Sequence, residues 1–171
     1  PESIRQKTDT GNSIGKTTVL RLVDYCFGGD GKNIYQDTEF NKQPNTTIEN
    51  FLKDNEIIIT VVLVDNLDIP KEKVIIRKNF LLRNKKIQEI NGQNITDNKE
   101  FDKALKKEIF KSEVDKPTFK QIISKNIRDE KNKMANIVKV LNSFTRIEEY
   151  EALYLFWLGI NTDNHNQKEL L

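Results

Sequence analysis

The feature that most constrains the fold of this 171-residue chain is a glycine-lysine-threonine sequence directly before an amphipathic helix. Gly15, Lys16 and Thr17 match the second half of the pattern G-x-x-x-x-G-K-[ST]. In that pattern backbone N–H groups surround phosphate oxygens, the lysine reaches the β- and γ-phosphates, and the hydroxyl holds Mg²⁺. The first glycine is replaced by Thr10, and Gly11 comes one position late. The sequence therefore predicts a phosphate-binding loop that departs from the full pattern.

The residues after the loop predict a helix over residues 19–27. Its apolar positions recur every three or four residues, and Gly28 is suited to end it. The apolar face comprises Val19, Leu20, Leu22, Val23, Cys26 and Phe27. Because Cys26 is the single cysteine, we expect a small core residue and no disulfide within the chain. The alternative to a phosphate loop is an ordinary turn before a core helix.

Composition narrows the function classes. The net charge is only +2, so the chain has no global field that would attract nucleic acid, and any such contact requires a local patch. No apolar run approaches the roughly 20 residues needed to span a membrane, and no secretory signal is present. We therefore expect a cytoplasmic protein without a membrane partner. The lone His165 lies in a polar tail, where we expect it to be solvated.

The rest of the chain predicts an α/β structure of the α+β type in one domain, residues 1–171. A polar connector covers residues 30–50, and strands are expected at residues 57–64, 74–83 and 87–90, followed by a tight turn at Asn91-Gly92. Consecutive antiparallel strands form a meander within residues 51–97. Helices are expected at residues 98–110 and 118–141, with Pro117 in the first turn of the second. A capping box of Thr145 and Glu148 begins a third helix, which Gly159 ends.

Two further groups leave alternatives open. Asp65 ends an apolar strand, as does the Mg²⁺-binding acid of many phosphate-loop enzymes, but a meander rather than a crossover helix follows it. It therefore reads more simply as the first residue of a turn. Basic residues are densest on the hairpin, at Lys78, Arg83, Lys85 and Lys86. They either protect a solvated edge from pairing or contact DNA phosphates.

Residues 12–18 and 20–29 resemble the Walker A segment and first helix of ABC-type ATPase heads of the SMC/RecN/RecF group. The resemblance extends to a bacterial SMC-like family with a domain of unknown function. Residues 76–78 and 90–95 resemble the β-subdomain of the first lobe, and residues 118–124, 127–128 and 153–160 resemble its helical segments. The resemblance implies a P-loop NTPase first lobe, an incomplete head with an antiparallel β-meander and a helical C-terminal half. A coiled coil and a C-terminal lobe with Walker B, the signature motif and the catalytic glutamate would complete it.

The resemblance also implies ATP and Mg²⁺ as ligands. Lys16 would contact the β- and γ-phosphates and Thr17 would ligate Mg²⁺. The implied partners are the C-terminal lobe, a second head in an ATP-dependent dimer, and DNA or another protein. No catalytic residue is assigned, although Gln121 is a candidate for the Q-loop glutamine. The implied nucleotide-binding set is Gly11, Asn12, Ser13, Ile14, Gly15, Lys16, Thr17 and Thr18.

Two alternatives remain open beside that resemblance. In the first, the chain is a self-contained P-loop phosphotransferase that uses Asp65 as its acidic partner. In the second, it is a non-catalytic interaction domain whose phosphate loop has degenerated, as Thr10 and Ser13 suggest.

Overall fold

A four-stranded antiparallel sheet lies at the centre of the structure. The computed structural model describes residues 15–36, 43–127, 141 and 144–160. Strands β1 (Ile58–Val64), β2 (Lys73–Asn79), β3 (Gln88–Ile90) and β4 (Gln93–Asn94) follow one another in the order β1-β2-β3-β4. Asn91 and Gly92 have φ values of 51° and 85°, the left-handed backbone that a two-residue hairpin turn requires. The predicted meander and its tight turn are confirmed, as is the mixed α/β class.

The second strand is shorter than predicted. It ends at Asn79 instead of continuing to residue 83, because the Asn79 side chain closes the next loop. Its Nδ2 donates to the Lys85 carbonyl at 2.7 Å, and its Oδ1 accepts from the Ile87 N–H at 2.8 Å. Arg83 has a φ of 55°, which a strand cannot accommodate, and a 3-10 turn covers Arg83–Lys85.

Helix α1 (Lys16–Cys26) packs on β1 and β2. It ends as predicted, with Gly28 at a φ of 88°. Its apolar face is buried only in the last turns, where Cys26 is fully buried and Val23 and Phe27 pack on the core. Val19 is 57% exposed and Leu20 is 42% exposed. The predicted apolar face therefore holds for the C-terminal half of the helix and not for its first turns.

Two helices occur where a polar connector was predicted. Helix α2 (Lys32–Tyr35) follows the glycines after α1, and helix α3 (Thr46–Asp54) precedes the sheet. The connector prediction for residues 30–50 was wrong at these two helices, and residues 37–42 lie outside the described residues. At α3 it overlooked the helix cap. The Asn45 side chain accepts the Ile48 N–H at 3.2 Å, and Leu52 on the same helix is buried.

The helices after the sheet were predicted with mixed success. Helix α4 (Asn98–Phe110) has the predicted bounds, and the Asp97 carboxylate caps it by accepting two backbone N–H groups at 2.9 Å. Helix α5 (Phe119–Asn126) is shorter than predicted, because Ile127 has extended backbone with ψ near 113°. The single helix over residues 118–141 is thus wrong, and residues 128–140 lie outside the described residues. Pro117 precedes the N-cap residue Thr118 instead of lying in the first turn.

Helix α6 (Ile147–Trp157) ends as predicted, with Gly159 at a φ of 70°. The predicted capping box was wrong, because Arg146 is the N-cap residue and no side chain caps the helix. The predicted face is buried in part: Leu153 is fully buried, whereas Ile147 is 82% exposed. No helix among the described residues is long and apolar enough to cross a membrane.

The core lies between the sheet, α1, α4 and α5. Its buried members share contacts across these elements; they are Cys26, Ile76, Ile90, Phe101, Leu105, Phe119, Ile123 and Ile127. Phe27 and Phe119 meet edge to face at 6.0 Å between ring centroids, which joins the end of α1 to the start of α5. The last turns of α1 are therefore held against β1, β2 and the start of α5, whereas its first turn is exposed.

Candidate functional site

Gly15 begins the candidate site with a left-handed backbone. Its φ is 69° and its ψ is 18°, and it is the N-cap residue of α1. Its carbonyl accepts the Val19 N–H at 3.0 Å, which starts the helical hydrogen-bond series. A Cβ on Gly15 would meet no atom within 4 Å, so the preference for glycine comes from the backbone conformation and not from crowding.

The next three residues form the first turn of α1. The side chains of Lys16, Thr17 and Thr18 are exposed, the first turn holds no acidic residue, and no side chain among the described residues caps the helix. The first N–H groups of a helix lack partners within the helix and carry partial positive charge. The turn therefore combines backbone donors, an ammonium and hydroxyls. Gly11, Asn12, Ser13 and Ile14 lie outside the described residues, so the site is seen only from Gly15 onward.

The other end of α1 is fixed to the sheet. The Tyr25 hydroxyl donates to the Asn79 carbonyl, and the Lys78 ammonium donates to the Tyr25 carbonyl at 2.8 Å. Burial raises the pKa of the Cys26 thiol to about 11, with the nearby Lys78 opposing the shift. Burial also raises the pKa of the Tyr25 hydroxyl, so both groups are neutral at ordinary pH.

Asp65 lies in the connection between β1 and β2. One carboxylate oxygen accepts the N–H groups of Lys71 at 2.9 Å and Glu72 at 3.0 Å. These backbone hydrogen bonds hold the pKa of Asp65 below its usual value. The carboxylate thus organises a turn, which is the simpler of the two interpretations that the sequence allowed.

Gln121 also has a structural partner. It forms a capping box with Thr118: its Oε1 accepts the Thr118 N–H at 2.8 Å, and the Thr118 hydroxyl accepts the Gln121 N–H at 3.3 Å. Among the described residues, no three His, Cys, Asp or Glu side chains are close enough to share a metal ion. Magnesium binding by the Thr17 hydroxyl is a separate matter and stays a prediction.

The structure divides the basic group on the hairpin. Lys78 is only 5% exposed, whereas Lys85 is exposed and pairs with Glu56 at 2.9 Å. Lys86 donates to the Thr96 carbonyl at 2.8 Å and to Asn98 Oδ1 at 3.0 Å. Lys78 therefore does not belong to a solvated edge, and contact of the other three basic residues with DNA stays a prediction.

Sequence reasoning missed the burial of Lys78, although the strand contained a signal for it. Side chains two apart on a strand lie on one face, and Lys78 falls between Ile76 and Phe80, both of which are buried. Desolvation lowers the pKa of Lys78 to about 8.

The described residues define an α+β protein with a helix N-terminus that follows a left-handed glycine. No family model matches the chain, and no solved structure matches it. The chain is similar to the protein "Uncharacterized protein YydD" of Bacillus subtilis (strain 168), with 27% identity over 173 residues. The similarity covers 94% of this chain and 26% of that protein. The chain thus spans about a quarter of the length of the curated relative it matches.

Proposed function

We propose that this chain is the ATP-binding N-terminal lobe of an SMC/RecN-like ABC ATPase head. One observation carries the proposal: Gly15 has a left-handed backbone directly before the exposed Lys16 and Thr17 of α1. This is the local geometry that a phosphate-binding loop needs at its second glycine. The antiparallel meander on which α1 packs is consistent with the β-subdomain of such a lobe.

In this proposal each group has a defined role toward Mg²⁺-ATP. The Lys16 ammonium contacts the β- and γ-phosphates, and the Thr17 hydroxyl ligates Mg²⁺. The N–H groups at the start of α1 donate to phosphate oxygens, and the helix dipole adds to the attraction. The last turn of α1 is buried and fixes the helix on the sheet. The first turn is thereby held in position for the phosphates.

Hydrolysis requires groups that we do not assign to this chain. By its resemblance to ABC heads, the lobe would need a C-terminal lobe and a second head to supply the catalytic glutamate and the signature motif. We therefore propose that the chain alone binds ATP with little turnover. In the complete protein, binding and hydrolysis would drive rearrangement on DNA, in repair, maintenance or defence, or on a protein partner.

Calorimetric titration with Mg²⁺-ATP tests the proposal on three forms of the chain. Lys16→Ala removes the phosphate-contacting ammonium. The matched control is Lys103→Ala, another exposed lysine, which forms an exposed ion pair with Glu100 at 3.4 Å. We expect Lys16→Ala to weaken ATP binding by at least about tenfold, as for a lost charge-assisted hydrogen bond, and Lys103→Ala to bind as the wild type does. Equal affinity in all three forms, or binding in none, would contradict the proposal.

A further inference from the structure

A charged cavity lies at the C-terminal end of α1, away from the first turn. Its volume is about 570 Å³, and it is bounded by residues 28–32, the end of β2, and parts of α3, α4 and α5. Because α1 has 11 residues, roughly 16 Å of helix separates this cavity from the first turn. The cavity is therefore distinct from the proposed ATP site.

Lysines outnumber acids in the cavity wall. Five lysines line it, namely Lys32, Lys53, Lys78, Lys86 and Lys120, together with three acids, Asp30, Glu49 and Asp102. Two of the acids are already paired, Glu49 with Lys53 at 2.5 Å and Asp102 with Lys120 at 3.4 Å. Neither Lys78 nor Lys86 takes part in any of the ion pairs between described residues. The wall thus has a formal charge of +2, five positive against three negative.

Lys78 is the buried member of this wall. Its ammonium has three N–H donors, and the Tyr25 carbonyl accepts one of them at 2.8 Å. The ammonium nitrogen lies 4.1 Å from the centroid of the Tyr25 ring and 5.5 Å from the centroid of the Phe101 ring. These contacts stabilise a cation without neutralising it, because a ring and a carbonyl carry no formal negative charge. Asp102 also attracts the Lys78 charge, but its ion-pair contact is with Lys120. A buried cation without an ion pair of its own is costly, and a bound anion would lower that cost.

Glycines give the wall its shape. A Cβ at Gly28 would lie 2.5 Å from Asp102 Oδ1, and a Cβ at Gly31 would lie 2.9 Å from the Tyr25 ring. A side chain at Gly28 would displace the Asp102 carboxylate, and one at Gly31 would crowd the Tyr25 ring. The stacked rings of Tyr25 and Phe80, 4.7 Å apart, support the floor beside Lys78.

We propose that this cavity binds a small phosphate dianion, either inorganic phosphate or a phosphomonoester, between the ammonium groups of Lys78 and Lys86. A dianion matches the formal charge of the wall. The volume admits a molecule of mononucleotide size, and the concave shape favours a small molecule over the continuous backbone of a duplex. The site is independent of Lys16 and Thr17.

The test follows the backbone amides of Gly28, Gly29 and Gly31 by NMR while inorganic phosphate or AMP is added at constant ionic strength. We expect saturable shifts that sodium chloride does not reproduce. Lys86→Gln should weaken binding at least about fivefold. The matched control Lys85→Gln removes an exposed neighbouring lysine and should leave binding unchanged. Tighter binding of AMP than of phosphate would assign an organic phosphate, and equal binding would assign phosphate itself.

Three results would overturn the proposal. The first is an equal loss of binding in Lys85→Gln and Lys86→Gln. The second is disappearance of the shifts in Lys16→Ala, which would place phosphate at the first turn of α1 instead. The third is saturation of the same amides by a short DNA duplex without terminal phosphates at lower concentration than AMP. If the Lys78→Met variant folds, it should no longer bind phosphate. If that variant does not fold, the result for Lys86→Gln decides whether the cavity binds phosphate.

Discussion

The ammonium nitrogen of Lys78 lies 2.8 Å from the backbone carbonyl oxygen of Tyr25 and 4.1 Å from the centroid of the Tyr25 ring. This contact connects β2 to the last turn of α1, where helix carbonyls lack partners within the helix and carry partial negative charge. A buried cation therefore holds the helix whose other end is the candidate phosphate site.

The first prediction concerns the pH dependence of this contact. Burial lowers the pKa of Lys78 from 10.5 to about 8, so between these values the unfolded chain binds more protons than the folded one. The free energy of unfolding should therefore rise as the pH is increased through this window. Relative to Lys78→Met, we expect the wild type to gain about 2 kcal/mol between roughly pH 7.5 and 9.5 in urea unfolding.

The comparison with Lys78→Met isolates one group among several. The other titratable groups that face Lys78 or line its cavity are Tyr25, Cys26, Asp30, Lys32, Tyr35, Glu49, Lys53, Lys86, Asp102 and Lys120. These groups are present in both proteins, so the part of their titration that does not depend on Lys78 cancels in the difference. A difference that stays constant or falls across the window would show that Lys78 is not desolvated.

The second prediction concerns the reactivity of Cys26. The thiol is fully buried and its pKa is raised to about 11, so little thiolate exists at pH 8. Reaction with a disulfide reagent at pH 8 should be at least about a hundredfold slower in the folded chain than in urea. Equal rates would mean that the last turn of α1 is open to solvent.

The third prediction compares two glycines that both have positive φ. Gly28→Ala places a Cβ 2.5 Å from Asp102 Oδ1, whereas Gly92→Ala meets no atom within 4 Å. Both substitutions strain the backbone by about 1 kcal/mol, and only the first also displaces a carboxylate. Thermal unfolding should show Gly28→Ala to be the less stable protein. The reverse order would contradict the packing of the loop on α4.

The fourth prediction separates the two roles considered for Asp65. Asp65→Ala removes the acceptor for the Lys71 and Glu72 N–H groups and should lower the unfolding temperature. Because this carboxylate organises a turn, the affinity for Mg²⁺-ATP should stay unchanged. If the folded variant instead loses nucleotide binding, the self-contained phosphotransferase becomes the better account.

Local sequence signals predicted the elements that depend on near neighbours. The meander follows from β-branched apolar runs and the Asn91-Gly92 turn, and α4 follows from the helical spacing of Phe101, Leu105 and Ile109. Helix α3 was missed although its Asn45 cap is a local signal, whereas the length of β2 depends on contacts further along the chain. Asn79 ends β2 through hydrogen bonds to Lys85 and Ile87, which no local pattern indicates.

The candidate site was predictable in part for the same reason. Gly15 lies directly before Lys16 and Thr17 at the start of α1, and this placement is visible in the sequence. The burial of Lys78 depends on α1 packing over β2, and its charge masked the alternation that would have predicted it.

The most direct test of the account is to titrate Mg²⁺-ATP into the isotope-labelled chain and follow the backbone amides of Gly15, Lys16, Thr17 and Thr18. If these amides surround phosphate, their resonances should shift and saturate together, and Lys16→Ala should remove the saturation. Adenosine without phosphates should leave them unmoved. Unchanged resonances of Gly15–Thr18 at saturating Mg²⁺-ATP, in a chain that is folded, would contradict the proposed ATP-binding lobe.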